Sequence, residues 1–149
     1  MYNLKNLLVA GVIVLGLLTG CEYTTSYSNR ESDKNDAKKI CDQFFDALKK
    51  NDYKAIYPLF SDRFFSVSPK DSLNYILNIS KTTLGNVITT GVTDWKTKVT
   101  RGTTMAGDYS LVYSVHREKY DSKEQFRLEQ EIDGGIRIVY YHVSSEGFK

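Results

Sequence analysis

The sequence predicts an α+β fold, with N-terminal helices packed on a curved four-stranded antiparallel sheet. Three observations carry that expectation. Between residues 36 and 84 apolar side chains recur at intervals of three and four, the repeat of a helix face. After Gly85 the period switches to two and β-branched residues dominate. Asp133-Gly134-Gly135 then marks a hairpin between the last two alternating runs.

The chain begins MYNLKNLLVAGVIVLGLLTGC. Lys5 precedes an apolar run over residues 7–18, and the small residues Thr19 and Gly20 follow. That is the layout of a secretory signal peptide over residues 1–20. Twelve residues of helix cover about 18 Å, short of the roughly 30 Å hydrocarbon core of a bilayer. Leu18-Thr19-Gly20-Cys21 resembles the lipobox of bacterial lipoproteins, which implies that Cys21 is acylated and the chain cut just before it. The resemblance makes the cell envelope the expected location and a lipid anchor at Cys21 the expected membrane contact. Glu22 stands where an Asp is associated with inner-membrane retention, which favours the periplasmic side of the outer membrane. With Cys21 lipidated, Cys41 is the one thiol left and no internal disulfide can form.

Residues 22–35 are polar and lack periodicity, so residues 21–35 are expected to form a flexible tether with a contour near 46 Å. Residues 36–149 are then the folded domain. Removing Lys5 from 20 basic and 18 acidic residues leaves that domain almost neutral, which argues against nucleic acid as a partner.

Ala37, Ile40, Cys41, Phe44, Ala47 and Leu48 share one face of a first helix, with Asp33, Asn35 and Asp36 as capping candidates. Cys41 on that face reads as a small buried hydrophobe. The next stretch, DYKAIYPLFSDRFF, is helical but broken at Pro58. A third helix is expected from Ser68 as N-cap and Pro69 at the first position, closed by Gly85. Four strands follow, NVITTGVTDWKTKVTR with a bend or bulge at Gly91, DYSLVYSVHREKY, EQFRLEQEI and IRIVYYHVSS.

FFDALKKNDYKAIYPLFSD and the closing RIVYYHVSS, in this order of elements, resemble the nuclear transport factor 2-like superfamily of cystatin-like α+β cones. The nearest resemblance is to its small uncharacterised bacterial lipoproteins, across residues 36–148. Ile136 stands where the group's last strand often has a Trp. The resemblance implies a cone with an apolar cavity and an open mouth. Its members include isomerases, dehydratases and binding modules, and homodimers through the sheet are common among them, so fold alone does not assign function.

Isomerase-like members pair a carboxylate with Tyr or Asp donors in the cavity. Tyr57, Asp94, Tyr113, His116, Tyr140 and His142 are the residues of suitable type. Alternation places His116 opposite Leu111, Tyr113 and Val115, hence outward, and Asp94 reads as an exposed carboxylate. His142 shares a face with Ile138 and Tyr140 and reads as a core-lining histidine. No carboxylate matches the isomerase pattern, two distant His make no metal site, and no cofactor is expected.

The expected function is therefore non-catalytic binding by a membrane-anchored envelope protein, with a cavity enzyme of the isomerase or dehydratase type as the alternative. Phe44, Tyr57, Phe60, Trp95, Tyr140 and His142 are the expected lining for a small apolar ligand. Tyr109, Tyr113, Arg117 and Phe126 are the expected open sheet face for an envelope protein partner, within an excess of 11 Tyr.

Overall fold

The computed structural model describes residues 23–149; the stretches read as signal peptide and lipobox, with Cys21, lie outside them. Helix α1 (Glu31–Lys49) crosses the sheet and turns Ala37, Cys41, Phe44, Phe45 and Leu48 inward. After it come a short α2 (Tyr53–Ile56), a 3-10 turn (Tyr57–Leu59) holding Pro58, and α3 (Asp62–Val67). The break is where proline removes a backbone donor. Asp52 caps α2 through the Ala55 N–H, and Ser61 caps α3 through the Phe64 N–H. Helix α4 (Lys70–Leu84) starts after Pro69, so proline is its cap rather than its first residue, and Ser68 closes α3 instead.

Gly85 ends α4 at φ 86°, a left-handed conformation that glycine adopts without penalty. A Cβ there would also stand 2.7 Å from the Glu118 Cβ. The chain then runs as an antiparallel meander of β2 (Val87–Gly102), β3 (Ala106–Arg117), β4 (Ser122–Gln130) and β5 (Ile136–Ser144). A last 3-10 turn covers Glu146–Phe148.

The sheet has five strands rather than four, in the order β1 (Thr24–Ser28), β2, β3, β4, β5. The fifth is β1, drawn from the segment expected to be a tether. It pairs with the far end of β2, from Thr24 opposite Gly102 to Ser28 opposite Lys98. Asn29, at φ 53°, turns the chain from β1 into α1. Its N–H donates to the Thr97 carbonyl at 3.0 Å, and its Oδ1 accepts from the Thr97 N–H at 3.1 Å. Helix α1 thus starts five residues earlier than the periodicity indicated. Its first turn is held by Asp33, which is buried and accepts from Arg30 Nε and Nη2 at 2.8 and 2.9 Å and from Arg101 Nη2 at 3.3 Å.

The core lies between α1 and the inner face of β3 to β5. Phe44 packs on Phe45, Phe126 and Tyr141 with ring centroids 5.4, 5.1 and 5.0 Å apart, mostly edge to face. Tyr113 stands 5.1 Å from Phe45 and 5.6 Å from Phe126. Rings fill the space where the resemblance implied an empty cone. Burying this aromatic surface stabilises the fold, and truncating one such ring costs about 3–5 kcal/mol.

Two expectations about strand faces are corrected here. Bulges in β2 fall at Ile88 and Thr93, where the register with β3 slips, rather than at Gly91. In β5, Ile138 pairs with Leu128 and Tyr140 with Arg127, so Val139 is an extra residue. That bulge moves the alternation by one. Tyr141 points into the core, while Tyr140 and His142 point outward, their rings stacked 6.4 Å apart.

Candidate functional site

Of the residues expected to line a cavity, Phe44 is wholly buried in the ring cluster, and Trp95 lies half-buried at the β2 margin with the Lys34 ammonium 5.2 Å over its ring. Tyr140 and His142 are on the opposite side of the sheet. The expected partner face is also corrected. Tyr109, Tyr113, Arg117 and Phe126 are all covered by helices, because β3 and β4 keep strict alternation and place them with Leu111, Val115 and Leu128. The solvent face of the sheet carries Asp94, Val112, Gln125, Arg127, Tyr140 and His142 instead. His116 is exposed as expected and bonds Asp121 at 2.7 Å, which holds the Asp121 carboxyl below its ordinary range.

His142 borders a small concavity of about 230 Å³ with Ile76, Ile79 and Phe148, whereas Tyr57 and Phe60 of the expected lining meet at a larger one. They form part of a cleft of about 560 Å³ between the Tyr57–Phe65 stretch, the start of α4 and the β4–β5 hairpin. Ser61 joins this wall to β5, its N–H donating to the Ile138 carbonyl at 3.0 Å. The Tyr57 hydroxyl donates to Asn74 Oδ1 at 2.9 Å, which fixes the ring against α4. The Tyr57 and Phe65 rings sit edge to face at 6.3 Å, and the Lys70 ammonium lies 5.1 and 5.6 Å from them.

Charge in the cleft is mixed. Arg137 pairs with Asp133 at 3.4 Å across the hairpin. Lys70, Asp62 and Glu131 have no ion-pair partner among the described residues. An aromatic wall flanked by one free cation and two free carboxylates can bind a polar chain that carries both signs of charge. The sequence reading missed Phe65, Lys70 and Arg137, which come together only when the proline-broken helix folds back on β5.

A second constellation is internal. Glu124 is fully buried on β4 and accepts from Arg117 Nη2 at 2.5 Å, from Ser122 Oγ at 2.9 Å and from the Tyr141 hydroxyl at 2.7 Å. Arg117 also donates to Ser122 Oγ at 3.1 Å and to the Gly85 carbonyl at 3.2 Å. Burial, and then the adjoining Glu124 charge, push the Tyr141 hydroxyl well above its usual range, so it stays a donor. These four side chains satisfy one another, which is the condition for holding charge inside a core. Cys41 is also interior, its thiol beside the Tyr113 hydroxyl and pushed up by burial to about 12. Among the described residues no cluster of His, Cys, Asp and Glu could hold a metal ion.

No protein-family model and no curated protein matches the chain. Among the solved structures that resemble it are the following two. One is a cystatin-like fold protein from Burkholderia xenovorans, 14% identical with a TM-score of 0.50, the match covering 81% of this chain and 97% of that one. The other is a protein of unknown function from the DUF3225 family of Pectobacterium atrosepticum, 15% identical with a TM-score of 0.46, over 79% and 94%. The element order, the five-stranded antiparallel sheet wrapped on α1 and the first of these matches agree: the chain has the cystatin-like α+β fold.

Proposed function

We propose that the protein is a lipid-anchored component of the bacterial envelope whose domain binds, without chemistry, a segment of a partner protein at the cleft between Tyr57, Phe65, Lys70 and Arg137. One observation carries the reading. The interior is filled by rings and by a polar network closed on itself, whereas the cleft exposes aromatic surface beside Lys70, Asp62 and Glu131, whose charges are unpaired among the described residues. Aromatic and Arg side chains at a concavity, with charge at the rim, are what protein interfaces favour. The anchor is supported by the apolar run and Leu18-Thr19-Gly20-Cys21. A small apolar ligand is less well served, because the space it needs is occupied by Phe44, Phe45 and Phe126. The isomerase-type alternative draws no support from Glu124 and Tyr141, which face each other rather than an open cavity.

The test is photo-crosslinking in intact cells from a benzophenone side chain placed at Asp62 or Glu131. The reading predicts one discrete heavier species from these positions, lost in the Lys70→Glu variant, and none from Lys39 on the solvent face of α1. Identical patterns from all three positions, or no adduct from the cleft, would refute it.

A further inference from the structure

One end of the sheet gathers three apolar side chains that nothing in the domain covers. Asp108 and Glu129 are partners across β3 and β4. Met105 stands three residues before Asp108, and Ile132 three residues after Glu129, so the β2–β3 and β4–β5 turns project equally beyond that row. Two strand spacings set the turns about 10 Å apart. Met105 is 57% exposed and Ile132 is fully exposed. Tyr23, 78% exposed, precedes Thr24, which pairs with Gly102 at the same end. Ile88 and Tyr120, also exposed, lie at the opposite end, and Tyr140 stands on the outer face of β5.

The chain enters the domain here. Because residues 24–28 are strand rather than tether, Cys21 is three residues from the first paired residue, a reach of at most about 11 Å. We propose that this end of the sheet rests on the lipid bilayer, with Tyr23, Met105 and Ile132 in the headgroup region beside the acyl group on Cys21. The proposal rests on the lipid-anchor reading above and adds a fixed orientation to it. Tyrosine suits the membrane interface, its ring apolar and its hydroxyl wet. Charges at this end are paired within the domain, Arg101 with Asp33, Arg127 with Asp108 and Arg137 with Asp133, so the attraction is apolar and does not depend on anionic lipid. Glu131 and Asp133 also rim the cleft, which then opens close to the membrane surface.

The experiment uses the full acylated chain, purified from bacterial membranes and placed in phosphatidylcholine vesicles. An environment-sensitive fluorophore is attached to Met105→Cys, Ile132→Cys or Tyr120→Cys; Cys41 is fully buried and leaves the label on the new thiol. The expected result is blue-shifted emission at 105 and 132, quenched by headgroup nitroxide lipid and insensitive to salt, with neither change at 120. A vesicle-bound chain whose labels at 105 and 132 stay in water would overturn the docking end alone. So would a blue shift without lipid quenching, which would mean that a second copy or another protein covers these turns. A chain with no acyl mass on Cys21 would overturn the anchor and the orientation together.

Discussion

The Tyr141 hydroxyl donates to Glu124 at 2.7 Å inside the sheet, while Tyr140, its neighbour in sequence, stands in solvent. The two tyrosines differ only in the face that the Val139 bulge assigns them. Tyr141→Phe removes one partner of a buried carboxylate and is expected to cost about 1–3 kcal/mol. Tyr140→Phe should stay within about 0.5 kcal/mol. Urea denaturation of both variants checks the assignment of faces.

Glu124 is the only carboxylate among the described residues that Arg117 meets at bonding distance, and both are buried. Glu124→Ala leaves the guanidinium uncompensated, and a loss of about 3–5 kcal/mol is expected. Replacing both, as Arg117→Met with Glu124→Leu, should recover a substantial part of that loss. Chemical denaturation of the single and double variants measures the coupling.

Asp33 carries the junction between β1 and α1. The Arg30 guanidinium, and then Arg101, hold its carboxyl below the ordinary value despite burial. A carboxylate whose folded pKa is depressed contributes stability that is complete above its unfolded pKa and is lost as pH falls through the folded one. Asp33→Asn should therefore destabilise the protein by about 1.5–3 kcal/mol at pH 7, with the difference narrowing below about pH 4. Thermal melts of both proteins across pH 3–7 read this directly.

Cys41 is sealed under α1 with its thiol raised by burial to about 12, so the thiolate is scarce at neutral pH. Alkylation by iodoacetamide at pH 8 should be slower than at a free cysteine by the folded-to-unfolded ratio, and complete in denaturant. Mass spectrometry over the time course gives the rate.

Much of this fold was legible because strong patterns wrote it. The three-and-four spacing from Ala37 to Leu48, Pro58 in mid-helix, Gly85 as a stop and the period-two runs each placed an element close to where it lies. Strand β1 was not legible, since TTSYS has no apolar alternation and becomes a strand only because β2 extends far enough to pair with it. Tyr140 and His142 were misplaced by one inserted residue, Val139, whose bulge no single sequence marks. The Arg117–Glu124 pair did leave a trace. Alternation puts Glu124 with Phe126 and Leu128, and Arg117 with Tyr113 and Val115, so two opposite charges share the inner face of adjacent strands. The cleft left none, because Lys70 and Arg137 are far apart in sequence and meet only in the folded chain.

The anchor is the claim on which membrane attachment, orientation and partner choice all depend. Intact mass spectrometry of the protein extracted from bacterial membranes tests it most directly. The account predicts a chain beginning at Cys21, heavier than its residues by a diacylglyceryl group, with the added mass on Cys21. A chain that retains residues 1–20, or one cut elsewhere with an unmodified Cys21, would contradict it.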